Sequence, residues 1–185
     1  MFARHTERAR RVLLFARYEA GRAGSPAVEP EHLLLALIRE GTGLSALIFE
    51  RARVSPDEVR RTIESRTTRR AATSSGEDLP LSASTNQVLE FAAQESDRLL
   101  HNYVGTEHLL LGVFREQRSL AASILAERGL QINQVRDEIA SLIGDRQARR
   151  VAGPSTRGQA GRFRRTAGAR AGQQTDDRRR WNSDE

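Results

Sequence analysis

The sequence predicts an all-α protein, in which two tandem four-helix repeats are related by a pseudo-two-fold axis and followed by a disordered basic tail. First, residues 31–40 (EHLLLALIRE) and 107–116 (EHLLLGVFRE) are nearly identical and lie 76 positions apart. Second, the same offset aligns apolar residues well outside this motif, which indicates a duplicated structural unit. Third, apolar residues recur at helical spacing, without the long period-two alternation that predicts strands. Because one unit is too small to bury its apolar faces well, we expect the copies to pair around a common core.

The first repeat, about residues 2–66, contains four predicted helices. Thr6 precedes the first, and threonine caps helix N-termini. Pro30 opens the second between two acids, because a first-turn N–H has no partner to lose and acids there suit the helix dipole. Ser55, followed by proline and two acids, starts the fourth. In order, the predicted helices cover 6–23, 29–40, 44–51 and a segment starting at Ser55.

The second repeat, about residues 81–145, is predicted to contain matching helices. Residues 67–80 are rich in Thr, Ser, Arg and Gly without an apolar period, so they form a predicted linker. A helix capped by Ser82 or Ser84 follows, and Thr106 caps the helix that carries the second motif. Two further helices are predicted over 120–127 and 133–143. The double repeat is expected to form one domain over residues 1–145.

The positive charge of the chain is concentrated at its C-terminal end. Residues 1–145 hold 19 arginines and 20 acids, whereas residues 146–185 hold 11 arginines and 4 acids. The latter segment has few aliphatic residues, so it cannot bury enough apolar surface to offset the entropy of ordering, and we predict a disordered tail. Every cation in the chain is arginine, which base-composition bias explains more readily than bidentate phosphate binding.

Several classes of function are excluded by residues that the chain lacks. It has no cysteine, so disulfides and thiolate metal sites are excluded. It has neither a signal peptide nor an apolar run long enough to span a membrane, and we expect a cytoplasmic protein with no membrane contact. Neither a serine-centred elbow nor a His-Glu-x-x-His pattern is present, so we expect no enzymatic activity.

Three segments resemble the Clp N-terminal repeat domain of ClpC-type unfoldases: residues 2–9 (FARHTERA), 103–112 (YVGTEHLLLG) and 135–144. The resemblance covers about residues 2–145. It implies a helical module that binds substrates and adaptors, without catalysis or a cofactor. Unfoldases also carry ATPase domains, whose P-loop needs a lysine, and this chain has none. We therefore expect a stand-alone Clp N-domain that serves as an adaptor or a decoy, with an oligomeric state that the sequence leaves open.

The resemblance also implies a ligand site for phosphorylated arginine, formed by the Thr and Glu of a Gly-Thr-Glu-His motif. The second copy keeps this motif with Thr106 and Glu107, whereas the first keeps Glu31 but has Glu29-Pro30 in place of Gly-Thr. A helix N-terminus accepts phosphate and a carboxylate pairs with guanidinium, so we expect the second site to be the better one. The alternative is that both glutamates only balance helix dipoles.

Two further features have competing interpretations. His32 and His108 are either a metal pair or, as we favour, structural histidines bonded to backbone. The tail places aromatic residues beside cations, which suits nucleic-acid binding, but a solvated tail that aids solubility or arginines that are themselves modified are alternatives. The tail residues proposed to contact nucleic acid are Arg162, Arg164, Arg165, Arg178, Arg179 and Arg180.

Overall fold

The computed structural model describes residues 3–67 and 79–151, with side chains described up to residue 144. Within these residues the chain forms eight helices and no strand, which confirms the all-α prediction. The helices are α1 Glu7–Ala23, α2 Pro30–Glu40, α3 Gly43–Arg51, α4 Pro56–Arg66, α5 Ala83–Arg98, α6 Thr106–Arg115, α7 Leu120–Glu127 and α8 Ile132–Val151.

The helix starts follow the predicted capping residues, with one exception. Thr6, Ser55 and Ser82 each accept a hydrogen bond from the backbone N–H three residues further on, at 3.2, 3.4 and 3.1 Å. In α6, however, Gly105 is the N-cap and Thr106 is the first helical residue. The threonine hydroxyl is therefore not used for capping.

The two repeats are related by a pseudo-two-fold axis, which two short backbone contacts make visible. His5 pairs with Val104, and Leu81 pairs with Val28, each as an isolated parallel bridge. Adding 76 to 5 gives 81, and subtracting 76 from 104 gives 28, so the repeat offset converts the first bridge into the second. The residue after His5 donates its N–H to the Val104 carbonyl at 3.0 Å, and the residue after Leu81 donates to the Val28 carbonyl at 3.0 Å. The predicted pseudo-symmetry is confirmed.

A buried carboxylate joins three helices in each repeat. The side chains of Glu19 and Glu95 are only 3% and 1% exposed. Each accepts hydrogen bonds from two arginines, 20 and 41 positions further along the chain: Arg39 at 3.3 Å and Arg60 at 3.0 Å, Arg115 at 3.3 Å and Arg136 at 2.6 Å. Burial alone would raise the pKa of both carboxyls, but hydrogen bonds and charge from the arginines outweigh it, so each pKa lies below its usual value.

The core forms where the two leucine runs meet. Helices α2 and α6 pack against each other, α1 covers α2, and α5 covers α6. The leucines of both runs are buried, as predicted. In the described part of the chain no single helix is long and apolar enough to cross a bilayer; α2 and α3 reach that length only as a pair bent by 90°.

The last helix is longer than the sequence predicted. It continues through residue 151, whereas we expected it to end at Ile143 and the tail to begin at residue 146. Residues 145–151 (DRQARRV) lack apolar periodicity but contain arginine, glutamine and alanine, which favour helix. The remainder of the predicted tail, 152–185, and most of the linker, 68–78, lie outside the described residues.

Candidate functional site

Three helices begin at one cavity of about 600 Å³. The bridge between His5 and Val104 brings the start of α1, from the first repeat, beside the start of α6, from the second. The start of α3 closes a third side, and the α5–α6 loop provides the remaining wall. Among the residues that line the cavity are Thr6, Glu7, Arg8, Arg11, Gly43, Leu44, His101, Tyr103, Gly105, Thr106, Glu107 and Ile143. The cavity is thus built by both copies.

One side of the cavity favours anions. The N-termini of α1, α3 and α6 all meet here, and unpaired N–H groups at a helix start attract negative charge. Arg8 and Arg11 line the same cavity as exposed side chains, together with the exposed Glu7; Arg11 also lies 3.7 Å from the buried carboxylate of Glu40. Gly43 has φ +87°, and a Cβ placed on it would lie 2.9 Å from the Thr106 hydroxyl and 3.8 Å from an Arg8 guanidinium nitrogen. The start of α3 therefore reaches this side only because residue 43 is glycine.

The cavity also carries a buried carboxylate, next to Thr106. Glu107 is 5% exposed and Thr106 is 2% exposed, and their side-chain oxygens lie 3.5 Å apart. A Cβ placed on Gly105 would lie 2.5 Å from both carboxylate oxygens of Glu107. The carboxylate therefore lies over the N-cap of α6, in space that any other residue type at position 105 would occupy. Glycine at position 105 thus leaves room for the Glu107 carboxylate at the start of α6.

Two histidines and a tyrosine form the wall behind the carboxylate. His108 is fully buried, and burial is the main reason why its pKa falls to about 4, with the charge of His101 adding to the effect. Its Nδ1 accepts a hydrogen bond from the Gly105 N–H at 2.8 Å, so the ring proton of this neutral imidazole lies on Nε2 and is donated to His101 Nδ1 at 2.8 Å. His101 in turn stacks on Tyr103, with ring centroids 5.1 Å apart and planes 4° apart.

The two histidines and Glu107 also form a cluster of potential metal ligands. Ligand atoms of His101, Glu107 and His108 all lie within 4.8 Å of one another. However, the Gly105 N–H occupies the Nδ1 lone pair of His108, while the ring proton occupies Nε2. Metal binding would require neutral nitrogens with free lone pairs, so the hydrogen bonds must first break. His32 makes the equivalent bond in the first copy, accepting from the Glu29 N–H at 3.0 Å, so both histidines bond to the backbone as the favoured interpretation predicts.

The equivalent place in the first copy has a different composition. Glu31 is half-buried rather than buried; burial and the charge of Glu29 raise its pKa. Pro30 stands where Thr106 stands in the second copy. The counterparts of Arg8 and Arg11, 76 positions further on, are Ser84 and Gln87. The region around Glu31 therefore has two acids, no arginine at the positions equivalent to Arg8 and Arg11, and no hydroxyl at the position equivalent to Thr106.

The structure brings two of the three predicted site residues together. Thr106 and Glu107 line the cavity side by side, whereas Glu31 belongs to the other copy and does not contribute to it. The sequence analysis missed Arg8 and Arg11, which lie almost a hundred positions before the motif. The pseudo-two-fold was the available signal, because it places the start of one copy against the motif of the other. The six tail arginines lie outside the described residues.

Sequence comparisons identify relatives of the double repeat. The sequence profile of the family described as the Clp repeat (R) N-terminal domain matches residues 4–128 and 101–165. The negative regulator of genetic competence ClpC/MecB from Bacillus subtilis (strain 168) is 35% identical over 147 residues, covering 80% of this chain and 18% of the relative. A ClpA homolog, an ATP-binding subunit of the ATP-dependent Clp protease from Guillardia theta, is 38% identical over 145 residues, covering 78% of this chain and 18% of the relative. The chain spans less than a fifth of these relatives.

Solved structures of Clp N-domains resemble the double repeat in fold. The N-terminal domain of the chaperone ClpD from Arabidopsis thaliana superimposes with a TM-score of 0.62 at 28% identity, over 78% of this chain and 97% of that chain. The N-domain of ClpV from Vibrio cholerae gives 0.65 at 19% identity, over 77% and 87%. A ClpV N-domain in complex with a VipB peptide gives 0.64 at 19% identity, over 77% and 89%; at this identity the likeness concerns the fold alone.

Proposed function

Because the chain belongs to the Clp repeat (R) N-terminal domain family, we propose that it is a non-catalytic module that binds substrates or adaptors of a Clp unfoldase. Its matched relatives include an ATP-binding subunit of the Clp protease and the regulator ClpC/MecB, which associates the repeat with that system. Within this function the cavity between the two copies is the ligand site. Proteins carrying phosphorylated arginine are the proposed ligands, and the chain acts on their delivery as an adaptor or a decoy.

The charges of the cavity support this choice of ligand. Phosphoarginine joins an anionic phosphate directly to a guanidinium group, so its site needs anion-binding and cation-binding groups a few ångströms apart. Arg8, Arg11 and the N-termini of α1 and α3 provide the first, and the buried carboxylate of Glu107 provides the second. The His101–Tyr103 stack adds a planar surface on which a guanidinium can lie. The observation that carries the proposal is this pairing of two arginines with one buried carboxylate.

The composition of the first copy implies one strong site per chain. Around Glu31 the acid at position 29 repels phosphate, and Ser84 and Gln87 supply no positive charge. Burial and the charge of Glu29 raise the pKa of Glu31, so the second acid also disfavours a negative charge beside it. We therefore expect phosphoarginine to bind with a stoichiometry of one.

Calorimetric titration tests the proposed site. The ligand is a short peptide containing one phosphoarginine, with the unmodified arginine peptide and a phosphoserine peptide for comparison. Glu107→Gln removes a charge-assisted contact worth about 1.5–3 kcal/mol, so affinity should fall by about 10- to 100-fold. Glu31→Gln is the matched control and should change affinity less than about twofold, because it lies outside the cavity.

A second pair of variants converts the anion side to the composition of the first copy. Arg8→Ser and Arg11→Gln should weaken binding of the phosphoarginine peptide, while the weak binding of the unmodified arginine peptide stays unchanged. Equal loss in Glu107→Gln and Glu31→Gln, or no binding by the unaltered chain, would exclude this cavity as the site.

In a degradation assay with the host unfoldase, an adaptor speeds and a decoy slows the loss of an arginine-phosphorylated client.

Nucleic-acid association through the tail is a second candidate function. It is favoured by sequence alone, since residues 146–185 hold 11 arginines against 4 acids. The experiment is a mobility shift at two salt concentrations, with the full chain and with a chain ending at residue 151. Because α8 runs to Val151, this deletion leaves the helix complete. A shift that weakens steeply with salt and disappears on deletion supports the candidate, and none at low salt rejects it.

A further inference from the structure

Leu100 combines two unfavourable features in the turn that leads into the cavity. Its φ is +57°, a left-handed conformation in which the side chain crowds the backbone. It is also 93% exposed, so its apolar side chain gains nothing from folding. The counterpart in the first repeat is Gly24, with φ +66°, where the same turn is made without either cost. The fold therefore needs this backbone conformation but does not need leucine.

The turn around Leu100 is held firmly. The next residue, His101, donates its N–H to the Ser96 carbonyl at 2.9 Å. The Ser96 hydroxyl lies 3.0 Å from the His101 carbonyl and donates to the Tyr103 carbonyl at 2.7 Å. Arg4 also donates to the His101 carbonyl at 3.1 Å. A fixed backbone thus presents a side chain to solvent, which lowers the conformational entropy that a partner must remove on binding.

Leu100 directly precedes a residue that lines the proposed phosphoarginine site. His101 lines the cavity and follows it directly, so the two Cα atoms are about 3.8 Å apart. We infer that Leu100 is a specificity-determining residue, which contacts an apolar side chain next to the phosphorylated arginine of a bound polypeptide. This inference rests on the proposed function and adds to it a preference for the sequence around the modification.

The experiment compares two peptides that differ only beside the phosphoarginine, with leucine on both sides or serine on both sides. The full chain should prefer the leucine peptide by about five- to tenfold, which corresponds to burying part of two apolar side chains. In Leu100→Gly the preference should fall below about twofold, while the affinity for free phosphoarginine stays unchanged. Leu100→Asn should behave alike, and it is the safer variant because asparagine tolerates the left-handed conformation without loosening the turn.

Arg53 is the matched control. It has φ +52° in the first repeat, where the second repeat has Gly129 at φ +78°. Both Arg53→Gly and Leu100→Gly should raise the melting temperature by about 2–4 °C, since each relieves a strained backbone. Only the Leu100 variants should lose the peptide preference. Equal affinity of the full chain for both peptides, or a preference retained in both Leu100 variants, overturns this inference alone; failure to bind either peptide overturns it together with the proposed function.

Discussion

Acid should destabilise this domain through its buried histidines. His32 and His108 are 4% and 0% exposed, and burial lowers the pKa of each to about 4. In the unfolded chain a histidine titrates near its ordinary value of about 6.5. Between pH 6.5 and pH 4 these histidines are therefore protonated in the unfolded state but neutral in the folded state. Stability is therefore full above about pH 6.5 and is lost progressively as the pH falls towards 4.

The size of this loss follows from the two pKa values. A shift of about 2.5 pH units, at about 1.4 kcal/mol per unit, gives about 3.5 kcal/mol for each histidine well below pH 4, of which about 3 kcal/mol is already lost at pH 4. Together they remove about 7 kcal/mol, comparable to the whole stability of many domains. His5 and His101, whose pKa values burial also lowers, act in the same direction. Glu31, with its raised pKa, opposes the trend in part.

Urea unfolding at a series of pH values measures the effect. Followed by circular dichroism between pH 7.5 and 4.5, the free energy of unfolding should fall by about 2 kcal/mol per pH unit below pH 6. His32→Gln is the matched variant, because glutamine can accept the Glu29 N–H in a capping box but does not titrate. In this variant about one proton fewer should be taken up on unfolding, so the free energy of unfolding should change with pH by about 1.4 kcal/mol per unit less. A free energy that stays constant from pH 7 to 5, or a slope unchanged in His32→Gln, would refute the assignment of buried neutral histidines.

Two further predictions concern stability and the shape of the site. Glu95→Gln leaves two half-buried arginines without their carboxylate and should lower the free energy of unfolding in urea by about 2–3 kcal/mol. Glu127→Gln, whose partner Arg66 is exposed, should leave the urea transition unchanged. Gly43→Ala should lower the free energy of unfolding by about 1–2 kcal/mol, because residue 43 has a φ of +87°. It should also weaken phosphoarginine binding, since the new Cβ would press on Thr106. An unchanged affinity would contradict that contact.

Much of the fold could be predicted because local signals and the repeat agree. Capping residues, glycine and proline marked the helix starts, and the offset of 76 positions identified the second copy from the first. The site was only half predicted, because Glu107 belongs to a local motif whereas Arg8 and Arg11 reach it through the pairing of the copies. The end of α8 was missed for another reason: its last turns have helix-forming residues but no apolar stripe.

The two copies of the repeat separate what the fold requires from what the ligand requires. Features that hold the helices together occur in both: the buried glutamate with its two arginines, the histidine that caps the motif helix, and the bridge that joins the copies. Features that line the cavity occur in one, because Arg8, Arg11, Gly105 and Thr106 have counterparts of different charge and shape. If the cavity were only a gap left by packing, the pseudo-symmetry would give it the same lining twice. Around the cavity the copies differ mainly in charged and hydrogen-bonding groups near one carboxylate, which is the difference that the proposed ligand site would require.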